Sequence, residues 1–271
     1  MAQRMPAAFV GHGSPMNTLE RNRYTEAWHT LGRTFPKPSA ILAISAHWYI
    51  DQTAVTAMAR PPTIHDFSGF PEALQKFRYP APGIPELAAR VRDLLAPVPV
   101  KLDQQEWGLD HGTWSVLAHM YPKADVPVEQ LSIDYSEPNE FHYAVGQSLK
   151  PLRDEGVLIL GLGNVVHNLR MMQRAGNAQA TEWAVSFETY VRHAVERRKH
   201  EALINYDSAG PAAKLAVPSL KHYLPLLHVL GTQDEDEPAW IPAEGIDMGS
   251  ISMLSVVVGE PKPDVLPPPE E

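Results

Sequence analysis

Cysteine is absent from the 271-residue sequence, and this absence removes several classes of chemistry at once. A chain without thiols forms no disulfides, thiolate zinc sites or iron–sulfur clusters, and it has no cysteine nucleophile. Long apolar runs are also missing, since no stretch approaches the roughly 18 residues that a membrane-spanning helix needs. Metal binding by imidazole and oxygen ligands remains open.

Positive charge is scarce as well. Lys and Arg together number 23 against 32 Asp and Glu, which gives a net charge of −9, and the basic residues are scattered. Nucleic acids are bound by clustered cations, so we expect neither nucleic acid nor a membrane as a partner. No apolar signal-peptide core precedes the first hydrophobic segment at Ala7, which favours a cytoplasmic location.

Apolar residues make up 44% of the chain, and its length corresponds to one large domain or two small ones. No internal repeat and no Gly/Ser-rich linker divides the sequence, which favours one domain over residues 1–259. Residues 260–271 are rich in proline and are predicted to form an extended, mobile tail.

Short β-rich segments alternate with segments of helical spacing. The predicted strands are 7–10, 40–48, 53–58, 126–133, 157–162 and 250–258. The predicted helices are 24–31, 85–95, 113–120, 139–153, 178–200 and 219–230. This alternation indicates an α/β fold, a single domain with a central, largely parallel or mixed sheet flanked by helices.

Histidine is abundant, with 12 residues, and three of these lie at or just beyond the carboxyl ends of predicted strands. His12 lies directly after the first strand, His47 ends the apolar run that starts at Ile41, and His167 follows the strand that ends at Leu162. In open α/β sheets ligands bind beyond the carboxyl ends of the strands, so these imidazoles are predicted to converge on a metal site there. The alternative is that each is a solvated loop histidine.

Other histidines lie in different surroundings. His222 stands in a leucine-rich segment, where a histidine is more often a core residue with one hydrogen-bonded nitrogen. His65 with Asp66, and likewise His111, lie in loops rich in glycine and aromatic residues, which fit a pocket for a planar ligand. For the loop before His111 the alternative is a helix cap, in which a polar side chain such as that of Asp110 accepts backbone N–H groups.

Several common enzyme motifs do not occur in the sequence. Residues 11–15 are not a nucleophile elbow, because Pro15 follows Ser14 and the Gly-x-Ser-x-Gly pattern is missing. Residues 161–166 lack the third glycine of a dinucleotide-binding fingerprint, and neither a Walker sequence nor a His-Glu-x-x-His motif is present.

Six longer motifs follow one another along the chain. They are Gly-His-Gly-Ser-Pro-Met at 11–16, Ser-Ala-His-Trp at 45–48, Pro-Thr-Ile-His-Asp-Phe at 62–67, Trp-Gly-Leu-Asp-His-Gly at 107–112, Gly-Asn-Val-Val-His-Asn-Leu at 163–169 and His-Tyr-Leu-Pro-Leu at 222–226. In this order they resemble the DOPA-dioxygenase branch of the class III extradiol ring-cleaving dioxygenases, and its bacterial members in particular. The resemblance extends to about Gly259 and implies that residues 1–259 are a catalytic domain.

The resemblance implies one non-haem metal at the open end of the α/β core, with His12, His47 and His222 at the matching ligand positions. The wider class has a glutamate where His222 falls, so this sequence departs from the two-His-one-carboxylate pattern. Three neutral ligands leave the full charge of the metal dication uncompensated, which favours the binding of a catecholate. The resemblance implies Fe(II) as the cofactor for activity, whereas the departure from the two-His-one-carboxylate pattern leaves Zn(II) open for the same site.

Further roles follow from the same resemblance. His167 matches the catalytic acid/base and is also kept as a metal ligand, His111 matches a catalytic and substrate-binding histidine, and His65 and Asp66 lie on a substrate-binding loop. The implied reaction opens the ring of a catechol such as L-DOPA with O2 and gives a muconic semialdehyde. The alternatives are a zinc hydrolase built on the same histidines and a non-catalytic metal-binding protein. Expected partners are the catechol and O2, and the chain is expected to be a monomer or a small homo-oligomer.

Overall fold

The computed structural model describes residues 4–173 and 178–260, which form a single α/β domain. Its strands are β1 (Ala7–Gly11), β2 (Ala40–Ile50), β3 (Ala54–Thr56), β4 (Lys101–Asp103), β5 (Val128–Asp134), β6 (Val157–Gly163), β7 (Ala239–Ala243), β8 (Ile246–Asp247), β9 (Ile251–Ser252) and β10 (Ser255–Val258). Eight of these strands form one sheet in the order β4-β3-β5-β2-β6-β1-β10-β7, and β8 pairs with β9. Apart from residue 260, the predicted Pro-rich tail lies outside the described residues.

The centre of the main sheet is parallel, and its outer strands make it mixed. β5, β2, β6 and β1 run parallel to one another, whereas β10 pairs antiparallel with β1, and β3 pairs antiparallel with β5. Every residue of β1, β5 and β6 is buried, as expected for strands covered by helices on both faces. The prediction of an α/β fold with a largely parallel or mixed sheet is confirmed.

Helices cover both faces of the sheet. They are α1 (Arg23–Thr34), α2 (Glu72–Gln75), α3 (Pro85–Leu95), α4 (His111–Met120), α5 (Asn139–Leu149), α6 (Pro151–Asp154), α7 (Glu182–Glu196), α8 (His200–Ile204), α9 (Pro211–Ala216) and α10 (Leu224–Gly231). Neighbouring residues of one strand point into opposite hydrophobic clusters, as Ile41 and Leu42 of β2 do. Within the described ranges, no helix is both long enough and apolar enough to span a membrane.

Some predicted boundaries differ from the structure for local physical reasons. The predicted helix 139–153 is interrupted after Leu149, because Pro151 has no N–H with which to continue the hydrogen-bond ladder. The predicted helix 178–200 begins only at Glu182 and ends at Glu196. The predicted strand 250–258 divides into β9 and β10. The sequence pattern does not indicate β7, which contains Pro242, since proline argues against a strand.

The leucine-rich segment after His222 becomes the most enclosed helix near the site. α10 packs against α5 and β6, and all of its residues are buried. A helix surrounded by protein on all sides is apolar all round, which explains its composition. Because His222 lies just before α10, the packing of this helix brings that histidine to the carboxyl ends of the central strands.

Candidate metal centre

Three of the predicted site histidines lie at the carboxyl ends of adjacent parallel strands. The strands are β2, β6 and β1, which are neighbours in the sheet. His12 directly follows β1, His47 lies near the end of β2, and His167 lies shortly after β6. The N–H of His12 donates to the carbonyl oxygen of Gly163 at 3.1 Å, which ties the loop after β1 to the end of β6. The sheet thus gathers side chains that are far apart in sequence.

His222 reaches the same place from a different element. It ends the short 3-10 helix Leu220–His222, immediately before α10. Its carbonyl oxygen accepts a hydrogen bond from the N–H of Asn164 at 2.9 Å, and a Cβ at Gly163 would lie 2.1 Å from the same oxygen. Only glycine permits so close an approach of two backbones. The Gly-Asn pair at the end of β6 therefore docks the turn that carries His222.

The rings of His12, His47 and His222 form a triangle. Their centroids lie 5.2 Å apart for His12 and His47, and 5.3 Å apart for each of the other two pairs. Each ring has one buried nitrogen with no hydrogen-bond partner among the described residues: Nε2 of His12, Nε2 of His47 and Nδ1 of His222. One ligand atom from each of the three lies within 4.8 Å of the others. Unpaired buried nitrogens are costly, and three converging ones fit the ligation of a metal ion.

Hydrogen bonds on the far side of two rings select the tautomer that a metal requires. Nδ1 of His12 lies 3.0 Å from the carbonyl oxygen of Gly13, and Nδ1 of His47 lies 2.9 Å from Oδ2 of Asp66. A carbonyl or an ionised carboxylate only accepts, so both Nδ1 atoms carry a proton and both Nε2 atoms keep a lone pair. Partners of this kind orient metal-binding histidines.

Asp66 also links His47 to a fourth imidazole. Its Oδ1 accepts hydrogen bonds from Nδ1 of His111 at 2.7 Å and from the His111 backbone N–H at 3.2 Å. Burial by itself would raise the pKa of Asp66, but the hydrogen bonds from His111 and His47 outweigh it and lower the pKa. His47, Asp66 and His111 are a second group with donor atoms within 4.8 Å, but here the carboxylate is already hydrogen-bonded to both rings.

Two imidazoles of the triangle, those of His12 and His222, are neutral at pH 7. Burial, followed by the neighbouring imidazoles, lowers the pKa of His12 and of His222 well below the ordinary value for histidine. Burial also lowers the pKa of His111, although the hydrogen bond to Asp66 opposes this effect. Neutral imidazole is the form that ligates metals, and the unpaired nitrogens of the three rings suit a divalent first-row ion. The donor set therefore fits a divalent metal.

His167 stacks on the triangle instead of joining it. Its ring centroid lies 3.5 Å from that of His222, and the two planes are within 13° of parallel. In the part of the chain that the structure describes, the group of mutually close donor atoms at His12 includes His47 and His222 but not His167. Burial lowers the pKa of His167 to about 3, and the Lys221 ammonium is the next largest cause. His167 is thus a neutral imidazole, which is the form that accepts a proton.

The loop at residues 62–67 is divided between two roles. The ring of His65 lies near Phe67 and Trp114, at centroid distances of 5.7 and 5.5 Å, and its Nε2 donates to the carbonyl oxygen of Phe77, beyond α2, at 3.0 Å. Phe67 meets the edge of His111 at 5.4 Å. Asp66 and Phe67 therefore contact the imidazole cluster, whereas His65 anchors the loop.

Two polar residues outside the predicted set hold the site histidines in place. Nδ2 of Asn17 donates to the carbonyl oxygen of His12 at 3.1 Å, and the carbonyl of Asn17 accepts from Nε2 of His119 at 2.8 Å. The hydroxyl of Ser45 accepts the His47 N–H at 3.3 Å. The sequence offers one hint of these roles, which is that Asn17 and Ser45 lie close to His12 and His47 in the chain. The residue types themselves give no signal, because Asn and Ser are also common in ordinary turns.

Comparisons with known proteins cover nearly the whole chain. Residues 10–259 match the model of a family described as the catalytic LigB subunit of aromatic ring-opening dioxygenase. The chain is 54% identical to a 4,5-DOPA dioxygenase extradiol of Escherichia coli K12, over 94% of this chain and 95% of that protein. It is 39% identical to a 4,5-DOPA dioxygenase extradiol of Beta vulgaris, over 90% of this chain and 92% of that protein.

A solved structure shares the fold. It is the crystal structure of an uncharacterized protein of Escherichia coli K12, with a TM-score of 0.84 and 49% sequence identity, and it covers 94% of this chain and 100% of that one. This structural similarity agrees with the family match over residues 10–259 and with the two named relatives. The chain belongs to the family of the catalytic LigB subunit of aromatic ring-opening dioxygenases.

Proposed function

We propose that this chain is an extradiol dioxygenase that opens the ring of a catechol resembling L-DOPA with O2 and gives a muconic semialdehyde. Membership of the LigB family supports aromatic ring opening, and the relatives named 4,5-DOPA dioxygenase extradiol support the catechol. One observation carries the proposal. Three unpaired imidazole nitrogens converge next to two further neutral imidazoles, those of His111 and His167.

The proposed metal ligands are His12, His47 and His222. Each has one buried ring nitrogen with no hydrogen-bond partner among the described residues. Fe(II) is the metal that we propose for activity, and Zn(II) is a second ion that the same imidazoles suit. When bound, the metal supplies Lewis acidity that lowers the pKa of a coordinated hydroxyl and, as Fe(II), electrons for the reduction of O2. Neutral ligands leave its full charge for the attraction of a catecholate.

His167 is the proposed acid/base. A phenolic hydroxyl has a pKa of about 10, so a catechol must give its proton to a neighbouring base in order to bind as an anion at pH 7. His167 is buried and neutral against the ring of His222. A negative oxygen beside it raises the pKa of the imidazole from the low value that burial and Lys221 impose. The ring then holds the proton and can return it to a product oxygen.

His111 is proposed to bind a substrate oxygen through Nε2. Its Nδ1–H is donated to Asp66, and the described residues provide no hydrogen-bond partner for Nε2. Neutral Nε2 accepts a hydrogen bond from a hydroxyl, whereas the protonated ring, which Asp66 stabilises, donates one to a developing negative charge. Phe67, which lies edge-on to His111, supplies an apolar wall for a planar ring.

The test is anaerobic reconstitution of metal-free protein with Fe(II), followed by L-DOPA or catechol in buffer of known O2 content. The expected result is the uptake of one O2 per substrate and the appearance of a yellow semialdehyde. The proposal fails if no catechol causes O2 uptake. A zinc-loaded sample is the matched arm, and turnover with zinc in the absence of O2 would favour the hydrolase instead.

His167→Ala separates proton transfer from metal binding. It is expected to lower kcat by about 10²- to 10⁴-fold, the range for the loss of a general acid/base, while the affinity for Co(II) stays unchanged. His193→Ala, on α7 and outside the imidazole cluster, is the matched control and should change neither quantity. A His167→Ala protein that loses its metal would assign His167 to the ligand set instead.

A further inference from the structure

Next to the imidazole cluster, a buried aspartate and a buried glutamine are joined by two hydrogen bonds. Asp110 and Gln130 are both 0% exposed. Nε2 of Gln130 donates to Oδ2 of Asp110 at 2.7 Å, and the backbone N–H of Asp110 donates to Oε1 of Gln130 at 3.0 Å. Two hydrogen bonds between the same residues fix the orientation of the amide and of the carboxylate together.

The other carboxylate oxygen of Asp110 accepts hydrogen bonds from the strand and the helix that carry two of the site histidines. Oδ1 of Asp110 accepts from the hydroxyl of Ser45 at 2.7 Å and from the N–H of Thr113 at 3.1 Å. The same hydroxyl of Ser45 accepts the His47 N–H at 3.3 Å. The carboxylate therefore joins β5, through Gln130, to the end of β2 and to the first turn of α4, which begins at His111.

The first turn of α4 packs directly on the end of β2. A Cβ at Gly112 would lie 2.7 Å from the hydroxyl of Ser45 and 2.9 Å from Cδ2 of His47. The ring centroids of His47 and His111 are 3.9 Å apart at this contact. Asp66 depends on that spacing, because it accepts from the two rings at 2.9 and 2.7 Å.

A helix cap alone does not require this arrangement. Ser, Thr or Asn caps a helix through a single hydrogen bond, whereas Asp110 accepts three, and its partners among the described residues are all neutral. Burying a carboxylate is costly unless its oxygens are hydrogen-bonded. A role in positioning the two histidines explains why this position carries a carboxylate.

We propose that Asp110 and Gln130 are positioning residues that set the distance between His47 and His111, so that Asp66 orients both rings. The inference rests on the proposed function, in which His47 holds the metal and His111 binds a substrate oxygen. If His47 and His111 lie farther apart, Asp66 no longer accepts the Nδ1–H of His47. Metal affinity and turnover then both fall.

The experiment uses the full chain in four forms: wild type, Asp110→Asn, Gln130→Glu and the double exchange Asp110→Asn/Gln130→Glu. In each single variant two like groups face each other, two amides or two carboxylates. The exchange restores one amide and one carboxylate with their places reversed. We expect each single variant to lose about tenfold or more in Co(II) affinity and in kcat on a catechol. The exchange should return both to within about threefold of wild type.

Asp110→Ser is the control for capping, since serine still accepts the Thr113 N–H but is too short to meet Gln130. Two-dimensional NMR of the metal-free protein reports the Nδ1–H protons of His47 and His111 that are donated to Asp66. We expect Asp110→Ser to weaken these signals and to lower Co(II) affinity. If it lowers only Tm and leaves both readouts at wild-type values, Asp110 is an ordinary cap and the proposal is overturned.

A folded exchange variant that stays as impaired as Asp110→Asn would also overturn the proposal. If the exchange variant does not fold, Asp110→Ser decides by itself. An iron-loaded wild type that opens no catechol would refute the proposed function but not the positioning role. Co(II) affinity and the Nδ1–H signals report the spacing without any turnover, so the two failures are distinguishable.

Discussion

Oδ2 of Asp66 lies 2.9 Å from Nδ1 of His47, and this contact decides how a histidine at a strand end presents its other nitrogen. The second carboxylate oxygen is taken by His111 at 2.7 Å. Both oxygens of Asp66 are therefore used by imidazoles. We expect Asp66 to act on a substrate through His47 and His111 and not by direct contact.

Asp66→Asn is expected to weaken metal binding by about 10- to 100-fold. Asparagine offers one acceptor oxygen to two imidazole N–H donors, so at least one ring loses its orientation. Competition for Zn(II) against a chromophoric chelator measures the affinity. Asp125→Asn removes an exposed carboxylate paired with Lys37 and should leave the affinity unchanged. A wild-type affinity in Asp66→Asn would show that this carboxylate does not orient His47.

Gly163→Ala is expected to lower the free energy of unfolding by about 1–3 kcal/mol, the usual cost of overpacking, and to weaken metal binding as well. The added Cβ would lie 2.1 Å from the carbonyl oxygen of His222, so the turn that carries this ligand must move. Urea unfolding and Zn(II) competition measure the two effects.

Gly69→Ala is the matched control for this glycine. An added Cβ there has nothing within 4 Å, and the cost is limited to backbone strain at a φ of +79°. Its metal affinity should equal that of wild type. If Gly163→Ala also binds Zn(II) as wild type does, the docking of His222 through this glycine is wrong.

Lys221→Met is expected to raise the pKa of His167 from its value of about 3. A positive charge nearby disfavours the imidazolium, so its removal shifts the titration of His167 upward, although burial, the larger cause, keeps the pKa below that of a free histidine. NMR titration of the metal-free protein follows the ring. Lys221→Arg keeps the charge and should leave the pKa low. A titration that is the same in Lys221→Met and wild type would contradict the assigned cause.

Glu129→Gln is expected to stabilise the protein relative to wild type at pH 8 but not at pH 4. Burial raises the pKa of Glu129 from 4.5 to about 7, against hydrogen bonds from Thr56 and from the N–H of Ile84. The folded state therefore binds more protons than the unfolded state between these values, and wild-type stability falls as the pH rises through this window. The variant carries no such titration and should gain about 1–3 kcal/mol above pH 7.

Urea unfolding at both pH values measures this effect. Glu140→Gln, at an exposed position on α5, is the control and should change the free energy of unfolding by less than about 1 kcal/mol at both pH values. If the difference between Glu129→Gln and wild type is the same at pH 4 and pH 8, Glu129 does not titrate in this range.

Part of the metal centre is predictable from the sequence because it depends on local order. A histidine at the carboxyl end of an apolar strand lies where the central strands of the sheet end, and His12 and His47 follow this rule. The leucines around His222 instead indicate a core position, and the residue is indeed buried. Its approach to the triangle depends on the packing of α10 and on the contact with Gly163, which no local pattern contains.

The sequence by itself determined the alternation of strands and helices, the exclusion of sulfur ligands and the supply of imidazoles at strand ends. Only the tertiary structure decided which imidazole nitrogens stay unpaired, that Asp66 serves two histidines, and that Asp110 pairs with Gln130. The physical reason is that a hydrogen bond is made or lost within a few tenths of an ångström. Distances of that size between residues far apart in the chain are set by the packing of the whole domain.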